Sequence, residues 1–210
     1  MSLKPQLYDK EECPFCWRVR MALYRCGVDF QRLVYDEYEH EWASLTPYNT
    51  VPVLKMGDSV IHDSSVMLEY LDESFGGLWP STPEARASAR GIALYADSAV
   101  GRPVRDLVFQ RRDRVPAEWD EEVIANAMGQ WHKSLPYLEE RLEVSGYFVP
   151  GGGIADFVLA TRFGLALAYD MPSPRSPGLM AWFEKIAAQA EFSETAPGIV
   201  KEKLDRGWLR

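Results

Sequence analysis

Two cysteines three positions apart are the residues of this 210-residue chain whose types and spacing most directly suggest chemistry. Cys13 is followed by Pro14, and proline favours the first position of a helix, where its missing N–H would have had no partner. Cys13 is then expected at the helix N-cap, where unpaired backbone N–H groups and the helix dipole favour the thiolate. Lowering the pKa of a thiol by about 1.5 units requires roughly 2 kcal/mol, which a helix terminus can supply. The pattern therefore predicts a nucleophilic or redox-active Cys13.

The second cysteine, Cys16, allows two interpretations. One helical turn after Cys13 and on the same face, it would be close enough to attack a mixed disulfide formed there. It could equally be a small buried hydrophobic residue. A structural zinc site would need a second cysteine pair or a histidine pair. The remaining candidates are Cys26, His40, His62 and His132. They show no ligand spacing, so we expect no metal.

Two other segments have the character of a binding site. Pro52 opens an apolar run, and because proline cannot donate to a strand ladder, the plain interpretation is an edge strand. The sharper one is a cis Val51–Pro52 bond that leaves the backbone of Val51 free to pair with an extended peptide. Asp63 can cap the following helix, and a helix N-terminus that carries the hydroxyl of Ser64 is a place to hold a carboxylate.

The hydrophobic pattern predicts the elements that must position these residues. Residues 1–75 alternate strand and helix signals in the order β-α-β-α-β-β-α, and the Gly/Pro-rich stretch 76–83 indicates a linker. Residues 84–210 show only helical signals. Helices are predicted at about 83–109, 117–144, 154–169, 177–189 and 193–203. The chain is therefore expected to combine a small α/β domain with an all-helical domain.

Composition and charge exclude several functional classes. With 47% hydrophobic and 26% charged residues the chain has the profile of a globular protein. Its net charge of −8 argues against nucleic acid as a partner, because such affinity depends on neutralising phosphates. The longest stretch without charged residues, 42–54, contains two prolines and is too short to span a bilayer. No signal-peptide pattern opens the chain, so we expect a cytoplasmic protein.

One basic cluster departs from this acidic background. It consists of Arg102, Arg105, Arg111, Arg112 and Arg114, diluted by Asp106 and Asp113. The plain interpretation is a solvated helix face, and the other is a docking site for an anionic substrate group.

Taken together, these features resemble the glutathione transferase superfamily. The resemblance rests on Cys13-Pro14-Phe15-Cys16, on Val51-Pro52-Val53-Leu54, on Asp63-Ser64 running into residues 67–73, and on Gly153-Ile154-Ala155-Asp156. It covers essentially the whole chain and implies an α/β N-terminal thioredoxin-like domain joined to an all-α C-terminal domain. It also implies glutathione as co-substrate and a homodimer. The family's helix N-cap Ser or Thr is Gly153 here, and Asp156 is expected to reach back to the Gly153 N–H.

The resemblance implies roles for particular residues. Asp63 and Ser64 would hold the γ-glutamyl end of glutathione, and Val51, before cis-Pro52, would pair with its cysteinyl backbone. Phe15, inside the cysteine motif, would also contact glutathione.

The cysteine motif is similar to that of the Omega-class and related bacterial branch, whose cysteine forms a mixed disulfide with glutathione. That branch usually has a non-thiol residue at the position of Cys16. A second cysteine is more similar to a dithiol glutaredoxin, in which Cys16 would resolve the mixed disulfide on Cys13.

The expected function is therefore a glutathione-dependent thiol transferase or reductase that uses the Cys13 thiolate on a small-molecule or protein disulfide. A transferase that conjugates glutathione to electrophiles is the first alternative, and a non-catalytic interaction protein on the same fold is the second. The acceptor should bind to residues of the helical domain that face Cys13. Candidates on one predicted helix are Tyr95, Asp97, Arg102 and Arg105.

Overall fold

The computed structural model describes residues 4–207, so the first and last three residues of the predicted domains lie outside it. The N-terminal part comprises β1 (Gln6–Asp9), α1 (Pro14–Arg25), β2 (Gln31–Val34), α2 (Glu39–Leu45), β3 (Val53–Met56), β4 (Ser59–His62) and α3 (Ser64–Phe75). This is the predicted order of elements. The helical part comprises α4 (Pro83–Tyr95), α5 (Gly101–Asp113), α6 (Glu121–Arg141), α7 (Ile154–Ala168), α8 (Pro177–Ala187), α9 (Ala190–Ser193) and α10 (Gly198–Asp205).

The sheet brings three distant segments to one of its ends. Its strand order is β2-β1-β3-β4, with β1 parallel to β2 and antiparallel to β3, which in turn is antiparallel to β4. Tyr8 pairs with Val53, and Val53 pairs with His62. The chain that leaves β1 toward Cys13, the chain that enters β3, and the chain that leaves β4 therefore meet at the same end of the sheet.

Helix α1 begins directly after Cys13, with Pro14 in its first turn, and joins the two parts of the molecule. It packs against α3 on one side and α7 on the other, and residues 16–23 are all buried. The indole of Trp17 lies 4.7 Å from the ring of Phe192, measured between ring centroids. Its N–H donates to the hydroxyl of Thr195 at 3.1 Å. The α/β part and the helical part thus share one hydrophobic core.

Helix α7 runs through the interior, and every one of its residues is buried. Gly153 precedes it at φ +140°, where a Cβ would lie 2.4 Å from the carbonyl oxygen of Leu78, so the position requires glycine. The expected contact from Asp156 back to the Gly153 N–H is wrong. The Asp156 carboxylate instead accepts hydrogen bonds from the Phe148 N–H (3.1 Å) and the Trp182 indole (2.8 Å), tying α7 to a loop and to α8.

Two predicted helices are interrupted, each near a proline. The run 83–109 is divided by a π-helical turn, Ala96–Val100, because Pro103 has no N–H to donate to the preceding turn. The run 193–203 contains Pro197, where the chain turns between α9 and α10. Among the helices of residues 4–207, none combines the length and apolar character that a membrane span requires.

Candidate active site

A cleft of about 290 Å³ opens at the amino end of α1. One wall is formed by residues 10–15, the loop after β1 and the first turn of α1, and includes Cys13 and Phe15. The facing wall comes from the π-helical turn, α5 and α7. Cys13 is half-buried here, in extended backbone geometry immediately before the helix. The predicted helix-start cysteine therefore faces a cleft large enough for a small molecule.

The environment of Cys13 favours its thiolate. Hydrogen bonding to the Cys16 thiol lowers the pKa of Cys13 to about 7, and the backbone N–H groups of Cys16 and Phe15 act in the same direction. Neither N–H group is aligned well enough for a capping hydrogen bond, so they act as nearby dipoles. Burial and the negative charge of Asp9 oppose the shift. A larger fraction of the Cys13 side chains is thus ionised at neutral pH than for an ordinary thiol.

Cys16 is fully buried behind Cys13. Its sulfur accepts a hydrogen bond from the backbone N–H of Lys10 at 3.4 Å. Burial, and then the neighbouring Cys13, raise the pKa of Cys16 well above its ordinary value. At neutral pH Cys16 is therefore a thiol that can donate to Cys13. Both interpretations of Cys16 describe part of its geometry, since it is a core residue and also contacts the helix-start sulfur.

The other predicted site residues lie at the shared end of the sheet. The Val51–Pro52 bond is cis, as the sharper interpretation predicted, and Val51 precedes the paired residues of β3. Asp63, at φ +70°, caps α3 by accepting from the Ser65 and Val66 N–H groups at 2.8 and 3.3 Å. Of the predicted site residues, the cleft described within residues 4–207 includes Cys13 and Phe15. The others, Val51, Pro52, Cys16, Asp63 and Ser64, are not part of its lining.

Sequence reasoning missed two arginines that connect these segments. The guanidinium of Arg18 donates to the Ser64 hydroxyl from two nitrogens, at 2.6 and 3.1 Å, and its third nitrogen pairs with Asp97 at 2.8 Å. Arg162 of α7 pairs with the other oxygen of Asp97, also at 2.8 Å. Both guanidinium groups lie against the ring of Phe15. Each arginine sits inside an ordinary helical pattern, so no local signal could have identified it.

Arg162 is a buried cation on the cleft wall. Its side chain is 5% exposed, and its Nε has no hydrogen-bond partner within residues 4–207. Burial lowers the pKa of the Arg162 guanidinium, while the negative charges of Asp97 and Cys13 oppose that shift. Arg162 and an ionised Cys13 therefore stabilise each other.

The loop that precedes Cys13 is anchored by hydrogen bonds from two separate segments of the helical part. Glu11 accepts a hydrogen bond from the backbone N–H of Gly198 at 3.0 Å, and Glu12 accepts one from the hydroxyl of Tyr169. Both donors belong to the helical part of the chain. The position of Cys13 is thus fixed by long-range contacts as well as by α1.

The predicted acceptor-facing residues divide into two groups. Asp97, Arg102 and Arg105 line the cleft. Tyr95 does not, because its hydroxyl donates to the carbonyl of Ser134 and its ring packs 4.2 Å from that of Tyr137. Of the four candidates, Tyr95 is thus the one that does not face the cleft, and about half of the helical residues that line the cleft are charged.

Comparison with known proteins identifies the family. Residues 12–74 match the glutathione S-transferase N-terminal domain, and residues 102–190 match the glutathione S-transferase C-terminal domain. Glutathione S-transferase 1 of Dianthus caryophyllus is 32% identical over 182 residues, which cover 79% of this chain and 81% of that protein. The chain belongs to the glutathione S-transferase family.

Other glutathione S-transferase relatives support the fold and the enzyme class. The theta class glutathione S-transferase of Xanthomonas axonopodis pv. citri, solved with glutathione bound, superposes with a TM-score of 0.81 at 20% identity, covering 93% of this chain and 98% of that one. Maleylacetoacetate isomerase of Mus musculus is 29% identical over 63% of this chain and 66% of that protein. The predicted thioredoxin-like plus helical fold and the transferase-type enzyme with glutathione as co-substrate are thus confirmed. These relatives do not identify the Omega-like branch, which stays a prediction.

Proposed function

We propose that this glutathione S-transferase is a thiol transferase of the cysteine-type, Omega-like branch that reduces mixed disulfides of glutathione. The observation that supports this most is the half-buried Cys13, whose pKa of about 7 keeps a large fraction of its sulfur anionic beside an open cleft. Thiol–disulfide exchange is fastest when the attacking thiol has a pKa near the ambient pH. Cys13 meets that condition at neutral pH.

The reaction would take place in two exchange steps. The Cys13 thiolate attacks the glutathionyl sulfur of an acceptor disulfide, the acceptor S–S bond breaks, and the acceptor leaves as a thiolate that takes a proton from water. A glutathione thiolate then attacks the glutathionyl sulfur on Cys13, which releases glutathione disulfide and regenerates the Cys13 thiolate. In sum, the acceptor disulfide is reduced to a thiol, and glutathione is oxidised to its disulfide.

Glutathione would bind at the shared end of the sheet. We assign the backbone of Val51, beside cis-Pro52, to its cysteinyl unit, and the amino end of α3, at Asp63 and Ser64, to its γ-glutamyl carboxylate. The Ser64 hydroxyl accepts from Arg18 and still has its own O–H to donate, so that O–H and the Ser64 backbone N–H are both donors for the carboxylate. Residues 1–75 would thus form the glutathione-binding domain, and residues 84–210, after the linker 76–83, the acceptor-binding domain. Phe15 lies between the two parts.

Cys16 would have one required role and one optional role. As a thiol it donates to Cys13 and keeps that sulfur ionised. As a resolving cysteine it would attack the mixed disulfide on Cys13, release glutathione, and leave a Cys13–Cys16 disulfide that two further glutathione molecules reduce. Replacement of Cys16 by serine separates the roles, because serine retains a hydroxyl donor but cannot form a disulfide.

Conjugation of glutathione to electrophiles is a second candidate function. It is favoured by the transferase relatives, and in that reaction bound glutathione supplies the nucleophile. Cys13 would then be dispensable, or would act only on the ionisation of the glutathione thiol.

One pair of variants separates the two functions. Cys13→Ala should abolish reduction of the mixed disulfide of glutathione and 2-mercaptoethanol, while calorimetric binding of glutathione is retained. Cys26→Ala, which removes the cysteine at the far end of α1, should leave both unchanged. A Cys13→Ala enzyme that reduces the mixed disulfide at the wild-type rate would refute the proposal, and a wild-type enzyme that conjugates an aryl halide but does not reduce the mixed disulfide would favour the second function.

The proposed setting is a homodimer in the cytoplasm. The chain has three cysteines, which cannot all pair with one another, and a reducing compartment would keep them reduced. The partners would be glutathione and a small-molecule or protein disulfide. Sedimentation equilibrium tests the assembly.

A further inference from the structure

One side of α5 forms the wall of the cleft that faces Cys13. Arg102, Arg105, Phe109 and Arg112 follow one another at spacings of three, four and three residues, so they lie along a single face of the helix. All four line the cleft. We call them the α5 stripe. The α5 stripe therefore presents three arginine side chains and one aromatic ring to a ligand in the cleft.

The three arginines of the α5 stripe differ in how they are paired. Arg105 pairs with Asp106, and Arg112 pairs with Asp113, each with a closest N–O distance of 2.7 Å. Arg102 is exposed and has no hydrogen bond or ion pair with any residue of 4–207. Arg102 is therefore a cation at the cleft whose full hydrogen-bonding capacity is available to a ligand.

The carboxylates that line the cleft are already engaged. Glu12 accepts from the hydroxyl of Tyr169, and Asp97 lies between the guanidinium groups of Arg18 and Arg162. Among the described residues, the lining contains five cationic side chains and two carboxylates, in a chain whose net charge is −8. An excess of one sign of charge along a cleft concentrates small ions of the opposite sign. The acidic chain thus presents a locally positive surface where it approaches Cys13.

The same cleft offers apolar surface for the body of a ligand. Phe109 is 49% exposed, and Val104, Val108 and Leu165 lie beside it in the lining. The volume of about 290 Å³ is at the lower limit of small-molecule sites, which excludes a large substituent.

On the assumption that the proposed function is correct, we propose that the acceptor is a small organic anion. It would carry an apolar or aromatic body that packs on Phe109 and a carboxylate that pairs with Arg102. The glutathionyl sulfur of its mixed disulfide would be directed to Cys13, and its own sulfur would be the leaving group. Arginine suits this role because its planar fork can bind both oxygens of a carboxylate. Arg102 is then a specificity-determining residue, and the arginine cluster is a docking site rather than only a solvated face.

Two acceptors that differ in charge test this inference. They are the glutathione mixed disulfides of 4-mercaptobenzoate and of 4-mercaptobenzamide, with kcat/KM for each divided by its uncatalysed rate of exchange with glutathione. The wild type should prefer the benzoate at least tenfold. Arg102→Gln should remove most of that preference, because kcat/KM falls much more for the benzoate than for the benzamide, while Arg175→Gln, at an exposed arginine outside the cleft, should retain the preference. Equal use of both acceptors by the wild type, or an equal loss for both in Arg102→Gln, would overturn the inference.

Binding measurements keep this test independent of turnover. The unreactive analogues 4-(methylthio)benzoate and 4-(methylthio)benzamide are titrated calorimetrically against the wild type and Arg102→Gln. Benzoate binding that depends on Arg102, without reduction of either disulfide, supports the acceptor class and contradicts the proposed function. Reduction of both disulfides at equal rates supports the proposed function and contradicts the inference about the acceptor class. If Arg102→Gln weakens the binding of glutathione itself, the α5 stripe serves glutathione and the inference is wrong.

Discussion

The thiols of Cys13 and Cys16 lie within one helical turn of each other and differ greatly in acidity. The pKa of Cys13 is lowered to about 7 and that of Cys16 is raised well above its ordinary value, because Cys16 is fully buried and donates toward its partner. When Cys13 ionises, the one proton that the pair retains therefore stays on the inner sulfur, that of Cys16. The outer sulfur is the one that a reactant in the cleft can reach.

This division predicts the effect of removing the inner thiol. Cys16→Ala deletes the hydrogen bond that lowers the pKa of Cys13 most, so the ionisation midpoint of Cys13 should rise from about 7 toward the ordinary value for a thiol. Alkylation of Cys13 at pH 7 should slow several-fold, as followed by thiolate absorbance and iodoacetamide rate against pH. Cys26→Ala is the matched control and should leave the midpoint in place. A midpoint that stays near 7 in Cys16→Ala would show that the helix dipoles suffice alone.

At the residue scale, local chemistry made part of the site predictable. Cys13 could be located because the proline after it marks the start of a helix, and Asp63 could be identified as a cap for a similar reason. The role of the Ser64 hydroxyl could not be foreseen, because its partner Arg18 comes from another helix. Arg162 was missed for the same reason, since it meets Asp97 only when α7 packs against the π-helical turn.

Helix α7 has a buried acid, Asp156, in its first turn, and the hydrogen bonds of this acid tie the helix to its surroundings. The Asp156 carboxylate is buried, and burial raises its pKa to about 6 although Trp182 and the Phe148 N–H favour the charged form. Below the unfolded pKa of about 4 the acid is neutral in both states, and its contribution to stability is fully present. As the pH rises through about 6 the folded protein must hold a buried charge, and that contribution is lost.

Asp156→Asn should therefore change how stability depends on pH. Asparagine retains an acceptor for both hydrogen bonds but cannot ionise, so between pH 5 and pH 7 the wild type should lose about 1 kcal/mol relative to the variant. Urea unfolding at several pH values measures the difference. Asp205→Asn, at an exposed position of α10, is the control, and its free energy of unfolding should depend on pH as that of the wild type does. If the free energy of unfolding depends on pH in the same way for the wild type and for Asp156→Asn, the raised pKa of Asp156 is wrong.

The order and type of the elements followed from hydrophobic periodicity, whereas their interruptions did not. The helical spacing of apolar residues continues through residues 96–100 and across Pro197. The pattern alone therefore predicted unbroken helices at both places. Gly153 was predicted as an ordinary helix cap, since the carbonyl of Leu78 that excludes a side chain there is 75 residues away in sequence. Such features depend on tertiary packing, which a local pattern does not contain.

For the whole molecule, the contact of α1 with α7 holds the two parts together. A Cβ added at Gly164 would lie 2.7 Å from the ring edge of Trp17, so this glycine lets the indole approach the α7 backbone. The same indole contacts α9, which makes Trp17 the meeting point of three helices.

The contact predicts opposite effects for two helical glycines. Gly164→Ala should lower the free energy of unfolding by about 1–3 kcal/mol, because Trp17 must shift in a fully packed core. Gly129→Ala in α6, where a Cβ meets nothing within 4 Å, should be neutral or stabilise by up to about 1 kcal/mol. Denaturant unfolding of both variants makes the comparison. Equal effects would mean that the helices can separate slightly at no cost.

The anchored loop before Cys13 has a consequence for reaction rate. Glu11 and Glu12 are held by Gly198 and Tyr169, so the residues that aim the sulfur lose their conformational freedom when the chain folds. If Cys13 is the nucleophile, as we propose, a reactant that enters the cleft meets a sulfur that is already oriented, and this loop needs no further ordering at each encounter. Under the proposed function, the end of α7 and the start of α10 would thereby lower the entropic barrier to thiol–disulfide exchange.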